Sequence, residues 1–181
     1  MKKKFNPRIK ARLRKNRQVL SKNIDNFFGW VKGAKLVELK ECNIEEDPVR
    51  PELDNNFRTG YGRKIYGVEY LGEIHAVMCF AYTNKVPKSV DELEKLSTDA
   101  FLQSAMRDQS GGQIAIAYTV WSKKKGGGKL IVKEVFKKIK KSNHLNRLVT
   151  LSPLTDMATK FHERNGLCIC NYWWSWTCQV L

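Results

Sequence analysis

The pattern of hydrophobic and polar residues along the chain predicts several β-strands. Lys35–Lys40, Lys64–Tyr70 and Ile74–Tyr82 have the composition of strands, and Leu71–Glu73 predicts a hairpin turn between the second and the third. Ile114–Trp121 carries no charge and contains β-branched and aromatic residues. A run of this kind predicts a central strand that is buried on both faces of a sheet.

Helical patterns alternate with these strands. Ser89 and Glu92 have the spacing of a capping box, which predicts the start of a helix that is broken at residues 109–112. Residues 129–141 carry two apolar rows, which predicts an amphipathic helix. Its opposite face is a single row of lysines at four-residue spacing: Lys129, Lys133, Lys137 and Lys141.

The last elements follow the same alternation. Arg147–Ser152 predicts a strand, and Thr155 or Asp156 is expected to cap a short helix that ends at Asn165–Gly166. The residues of this helix that are expected to face inward are Met157, Ala158 and Phe161. Residues 41–63, between the first two strands, predict a long loop. The whole pattern predicts an α/β (α+β) fold.

Positive charge is concentrated in two zones. The chain has 33 Lys and Arg against 18 Asp and Glu, a net charge of +15. Residues 1–18 hold nine basic and no acidic residues, and much of the remainder lies between Lys123 and Arg147. Such a field attracts polyanions, in particular nucleic acid, and the alternative is a solvated surface. We expect residues 1–33 to form a basic, helical extension and residues 34–181 to form the main domain.

Length and cysteine usage restrict the class of protein further. The 181 residues suffice for one domain with a hydrophobic core. No apolar run has the length of a membrane span, and the basic N-terminus lacks the apolar stretch of a signal peptide. We therefore expect a cytoplasmic protein. Its five cysteines do not have the spacing of a disulfide framework. A zinc site would be formed by Cys168, Cys170, Cys178 and His162, but these residues lack the paired spacing that is usual for zinc, so free thiols are the favoured interpretation.

The most informative motif is the turn Lys123–Gly128, with the sequence Lys-Lys-Lys-Gly-Gly-Gly, which joins the central strand to the amphipathic helix. Glycines let the backbone approach a ligand closely, and the amide groups at the start of a helix attract phosphate. Neighbouring lysines add positive charge. The turn therefore predicts a site for a phosphate-bearing ligand.

This order of elements resembles the Gcn5-related N-acetyltransferase (GNAT) superfamily, broadly over residues 64–170 and most closely over residues 113–166. The family's pyrophosphate turn, Gln/Arg-x-x-Gly-x-Gly/Ala, is matched at Gly126 and Gly128, with Lys123 in the first position. Near the C-terminus, Phe161-His-Glu-Arg-Asn-Gly-Leu167 stands where the family has a Tyr-Glu-Lys-x-Gly-Phe-like helix ending.

Residues 151–166 also look like uncharacterised GNAT-like proteins of phages and marine bacteria. The resemblance as a whole implies a mixed sheet flanked by helices, with acetyl-CoA or another acyl-CoA bound between two splayed parallel strands, 114–121 and 147–152. It also implies an N-acyltransferase in which an amine acceptor attacks the thioester directly. The residues that it assigns to the cofactor are Tyr118, Val120, Lys123, Lys124, Gly126, Gly127, Gly128, Lys129 and Ser152.

The resemblance also indicates catalytic residues. His162 replaces the family's tyrosine that can protonate the departing thiolate, and an ordinary histidine has a pKa near neutrality. His162 and Tyr118 are therefore the catalytic candidates, although a surface position for His162 is an equal alternative. The family's usual glutamate base is missing from the first strand, and Tyr118, His75 or Glu73 are possible replacements.

Two further functions stay open at this point. The first is a nucleic-acid-modifying or nucleic-acid-binding protein of phage type, anchored through residues 1–18, in the cytoplasm of a bacterium or an infected host. The second is a binding module that has lost catalysis, because the family's glutamate and tyrosine are both replaced.

Overall fold

Residues 35–181 are built around one mixed sheet in the computed structural model. Its strands are β1 (Lys35–Leu39), β2 (Lys64–Tyr70), β3 (Glu73–Thr83), β4 (Ile114–Ser122), β5 (Arg147–Leu151), β6 (Cys168–Ile169) and β7 (Ser175–Gln179). They lie in the order β1-β2-β3-β4-β5-β7-β6. Among the described strands, only β4 and β5 pair in parallel, and the other neighbours are antiparallel. The predicted mixed sheet is confirmed.

The structure describes residues 12, 15–17, 29, 30, 32–107, 112–152, 155–165, 168, 169 and 175–179. The chain divides into two compact units, residues 1–34 and 35–181. In the first unit, the N–H of Ala34 donates to the carbonyl of Trp30 at 2.9 Å. The basic segment 1–18 lies largely outside the described residues, so the predicted N-terminal extension stays a prediction.

Four helices accompany the sheet in the described part of residues 35–181: α1 (Asn55–Thr59), α2 (Val90–Arg107), α3 (Gly127–Lys140) and α4 (Asp156–Arg164). The predicted caps are present, since the Ser89 and Thr155 hydroxyls accept the N–H groups of Glu92 and Ala158 at 3.1 and 3.2 Å. None of the described helices is long and apolar enough to cross a membrane.

Three local expectations were wrong. Residues 41–63 are not only loop, because the Asp54 carboxylate accepts the N–H of Phe57 at 2.6 Å and so caps α1. Helix α3 starts at Gly127, inside the glycine turn, and not at Lys129. Met157, which was expected to face inward, is 80% exposed, and α4 uses Ala158, Phe161 and His162 for its less exposed side.

A β-bulge and the short pairing of β4 with β5 open the sheet at one point. Cys79 and Phe80 of β3 pair with Thr119 and Ala117, so Tyr118 is the extra residue on β4. The parallel pairing of β4 and β5 runs from Ile114 only to Ala117, opposite Thr150. Past the bulge the two strands are no longer paired with each other, which is the splayed parallel pair that the family resemblance implied.

Candidate functional site

A cavity of about 700 Å³ lies where β4 and β5 separate, and we call it the cleft. Its wall contains residues 117–123 of β4 and the following turn, and residues 150–152 at the end of β5. Gly128 at the start of α3 and several residues of α4 complete one side. Residues 46, 48 and 49, in the connection after β1, complete the other.

Six of the ten predicted site residues line the cleft: Tyr118, Val120, Lys123, Gly128, Ser152 and His162. The other four, Lys124, Gly126, Gly127 and Lys129, belong to the adjoining turn and first helical residues and are not part of the wall. The alternative bases, His75 and Glu73, approach each other to 3.9 Å on β3 and also lie outside the wall.

The glycine turn is shaped by close packing. Gly126 has φ +86°, in the left-handed region that favours glycine. A Cβ on Gly127 would come within 3.0 Å of the Ser122 Cβ, and one on Gly128 within 3.0 Å of the Phe161 ring. The first helical hydrogen bond runs from the Leu130 N–H to the Gly126 carbonyl, so the amides of Gly128 and Lys129 precede it. These amides and the positive end of the helix dipole favour an anion.

The three lysines of the turn have different surroundings. The Lys123 ammonium contacts the Glu46 carboxylate at 2.7 Å, so its charge is compensated at the rim of the cleft. The Lys124 ammonium lies 4.9 Å from the centre of the Tyr70 ring. Lys125 is exposed, and no described carboxylate lies within salt-bridge distance of it. Lys125 is therefore the cation of the turn most available to a ligand.

Three residues of the cleft wall carry buried polar atoms that the described part of the protein does not satisfy. The Tyr118 hydroxyl, the Trp121 indole nitrogen and the Thr150 hydroxyl have no hydrogen-bond partner among the described residues. These atoms are closed off from the cleft itself, and the Tyr118 and Trp121 rings pack against Phe57 and Arg58 in the core. Burial also raises the pKa of Tyr118, which keeps its phenol neutral.

His162 is buried in this wall and is only 2% exposed, so the alternative of a surface histidine was wrong. Its ring lies against Phe161, with the ring centres 5.3 Å apart. Burial lowers the pKa of His162 to about 4, because an imidazolium would lose its hydration there. At neutral pH the side chain is therefore an uncharged imidazole, and not an acid with a pKa near neutrality, as the sequence suggested.

One arginine joins the two strands where they separate. The Arg50 Nε–H donates to the carbonyl of Tyr118 at 3.0 Å, and an Nη2–H donates to the carbonyl of Leu151 at 3.4 Å. Tyr118 is the bulge residue, and Leu151 is the last residue of β5. A planar guanidinium can serve two acceptors in this way, so Arg50 spans the opening of the sheet.

A buried ion pair fixes the segment that carries Arg50. Asp47 and Arg58 contact each other at 2.8 Å, and both side chains are fully buried. The Thr119 hydroxyl of β4 donates to the Asp47 carboxylate at 2.8 Å, and Arg58 also donates to the carbonyl of Arg50 at 2.7 Å. Since each charge is satisfied by several partners, the pair anchors residues 47–58 on the bulge of β4.

Metal ligands are not grouped in the described part of the chain, where no set of three His, Cys, Asp or Glu is placed to hold an ion. Cys42 and Cys79 are free thiols. The side chains of Cys168, Cys170 and Cys178 lie outside the described residues.

Comparison with solved structures identifies the fold. A malonyl-CoA decarboxylase from Agrobacterium vitis aligns with a TM-score of 0.55 and 14% identity, over 81% of this chain and 41% of that one. An acetyltransferase from Bacillus subtilis, in complex with CoA, aligns with a TM-score of 0.51 and 15% identity, over 76% and 78% of the two chains. GphF, a GNAT-like decarboxylase in complex with isobutyryl-CoA, aligns with a TM-score of 0.51 and 11% identity, over 74% of this chain and 72% of that one. The chain has a GNAT-like fold.

The likeness concerns the fold alone, because the sequence identities are low. The chain spans less than half the length of the Agrobacterium decarboxylase. No family model matches the sequence, and no curated protein matches it either.

Within the GNAT-like fold, sequence reasoning missed Arg50, Asp47 and Arg58. All three stand in a stretch rich in charge and proline, which is typical of a solvated loop. The one available signal was the length of that loop, since long loops in compact domains are often functional.

Proposed function

We propose that the chain is an acyl-CoA-dependent N-acyltransferase, in the simplest case an N-acetyltransferase. The observation that carries the proposal is the coincidence of three features at one place. The cleft lies between the separated ends of β4 and β5, the glycine turn adjoins it, and α3 begins there with amides that precede its first hydrogen bond. Two proteins of the same fold were solved with CoA or isobutyryl-CoA bound.

The described residues fit the parts of an acyl-CoA. Its phosphates would be held by the amides of Gly128 and Lys129 and by the charge of Lys125. The pantetheine arm would follow the main chain of β4 around Val120, where β5 no longer occupies the hydrogen-bonding edge. The thioester supplies an activated acyl group.

The chain's own residues then have limited but definite roles. Main-chain amides of β4 beyond the bulge would polarise the acyl carbonyl, as oxyanion-hole donors do. His162 is neutral in the cleft, so it would act as a hydrogen-bond donor or acceptor near the reacting atoms and not as an imidazolium acid. The Tyr118 ring packs against Phe57 and its hydroxyl is fully buried, so Tyr118 would contribute its main chain and not its phenol. Arg50 would keep the two strand ends in position.

Thermal unfolding with and without acetyl-CoA tests the proposal. A ligand that binds the folded state raises the melting temperature by mass action, so saturating acetyl-CoA should stabilise the protein. Lys125→Glu should weaken this shift, because it reverses the charge beside the phosphates. Lys88→Glu, an equal change of charge at an exposed residue outside the wall, is the control and should keep the shift. An unchanged melting temperature at saturating acetyl-CoA would overturn the proposal.

A second candidate keeps the ligand and changes the reaction. Two of the three solved proteins compared above are decarboxylases, so the cleft is also compatible with loss of CO₂ from an acyl-CoA that carries a carboxylate. Incubation with malonyl-CoA and chromatography of the CoA esters separates the two reactions. Formation of acetyl-CoA without an amine favours the decarboxylase, whereas consumption of acetyl-CoA only in the presence of amines favours the acyltransferase.

A further inference from the structure

A second cavity of about 640 Å³ shares no wall residue with the cleft. It lies between α2, the C-terminal half of α3 and the strands β2 and β3. Five aromatic side chains contribute to its wall: Tyr61, Tyr66, Phe80, Tyr82 and Phe101. We call it the aromatic cavity.

Two of these aromatic rings are presented to solvent in a fixed arrangement. Tyr61 is 49% exposed and Phe101 is 41% exposed, and their ring centres are 6.2 Å apart. Tyr61 has φ +49°, a left-handed conformation that is unusual for a bulky residue. The Arg63 guanidinium lies 5.5 Å from the centre of its ring. The exposed Tyr61 ring therefore has the Phe101 ring and the Arg63 guanidinium as neighbours.

Positive charge surrounds the cavity. Lys64, Lys138 and Lys141 are part of the wall, and Glu38 is the one carboxylate among the described wall residues. Glu38 pairs with Lys64 at 2.7 Å, which leaves Lys138 and Lys141 uncompensated at the rim. The Lys138 ammonium lies 5.3 Å from the centre of the Tyr66 ring.

Lys141 connects the cavity to a longer basic surface. It directly follows α3 and is the last member of the lysine row that the sequence showed, and all four lysines of that row are exposed. From Lys129 to Lys141 the row extends about 18 Å along the helix. Among the described residues, only Lys137 of this row has a carboxylate partner, Glu134 at 2.7 Å.

We propose that the aromatic cavity and the lysine row together bind single-stranded nucleic acid, with a base stacked at Tyr61 and phosphates along α3. A basic track beside exposed aromatic rings is the arrangement that single strands use, because any base can stack on a ring. A duplex keeps its bases inside. This inference does not depend on the acyl-CoA proposal.

Binding of a labelled single-stranded RNA of about 12 nucleotides to the full chain tests the inference, measured by fluorescence anisotropy at several salt concentrations. Tyr61→Asn removes the ring, and asparagine tolerates the left-handed backbone. It should weaken binding about 5- to 150-fold, the range that loss of one stacked base produces. Tyr61→Phe keeps the ring and should bind like the unchanged protein.

The lysines are tested by the salt dependence of binding. Lys138→Ala with Lys141→Ala should reduce the slope of log K against log salt by about 1.4, since each lost phosphate contact contributes about 0.7 for a single strand. Lys88→Ala with Lys95→Ala removes the same charge from exposed positions outside the wall, and it should leave the slope unchanged. Because residues 1–18 are the same in all variants, their own contribution cancels.

Four results would overturn the inference. Tyr61→Asn could bind RNA as tightly as the unchanged protein, or the two double variants could have equal slopes. A duplex of the same length could bind as tightly as the single strand, which would remove the role of an accessible base. Polyglutamate could displace the RNA at equal charge concentration, which would indicate an acidic peptide as the partner.

Discussion

Replacement of Arg50 by methionine tests whether one side chain holds the opening between β4 and β5. Methionine keeps an unbranched, flexible apolar chain and removes the guanidinium. The bond to the Tyr118 carbonyl at 3.0 Å has normal length, and hydrogen bonds to charged groups contribute about 1.5–3 kcal/mol. The bond to the Leu151 carbonyl at 3.4 Å is long and adds little.

Burial of the guanidinium offsets part of this gain, because the same desolvation that lowers the pKa of Arg50 also costs free energy. We therefore expect Arg50→Met to lower the free energy of unfolding by about 2 kcal/mol. For a chain of this length that corresponds to a decrease of about 4–8 °C in melting temperature. Urea denaturation followed by tryptophan fluorescence measures the difference.

The matched control is Lys40→Met, which removes one positive charge at an exposed position just after β1. Exposed substitutions of this kind change stability by no more than about 0.5 kcal/mol. Arg50→Lys keeps the charge but places one ammonium where a fork of donors spanned two carbonyls. Its free energy of unfolding should therefore lie between that of Arg50→Met and that of the unchanged protein. If Arg50→Met and Lys40→Met have the same stability, the bridge across the strands contributes nothing and the reasoning is refuted.

Two further predictions concern buried ionisable side chains. Burial lowers the pKa of His162 to about 4, so from pH 6.5 down to pH 4 the unfolded state binds a proton that the folded state does not. The free energy of unfolding should therefore fall over that range by up to about 3 kcal/mol, and His162→Leu should remove this part of the fall. Urea titrations measure it, and an equal fall in the unchanged protein and in His162→Leu would contradict the prediction. Asp47→Asn leaves the Arg58 charge buried without its counter-ion and should cost about 3–5 kcal/mol in the same titration at pH 7, whereas Asp54→Asn keeps a competent cap for α1 and should cost almost nothing. A loss for Asp47→Asn no larger than that of Asp54→Asn would refute the anchoring role.

The parts of the structure that depend on neighbours along the chain could be predicted. The strand at 114–122, the glycine turn and the caps at Ser89 and Thr155 follow from local patterns, because the interactions that form them span only a few residues. The order of these elements also indicated the sheet and the splayed pair of strands, through the resemblance to a known superfamily.

The parts that depend on distant partners could not be predicted. Arg50 contacts carbonyls 68 and 101 residues further along the chain, and no local pattern encodes that. The bulge at Tyr118 is visible only in the pairing of β3 with β4. The burial of His162 likewise depends on how α4 lies against the cleft, so its lowered pKa was not foreseeable from the residue alone.

Amide hydrogen exchange in the presence of acetyl-CoA tests the central claim most directly, because it locates the ligand as well as detecting it. The account predicts slower exchange in peptides that cover residues 117–123 of β4 and the first turn of α3, residues 126–130. Peptides from residues 97–104, at the aromatic cavity, should be unaffected. Protection confined to residues 97–104, or no protection anywhere at saturating acetyl-CoA, would contradict the assignment of the cleft as the acyl-CoA site.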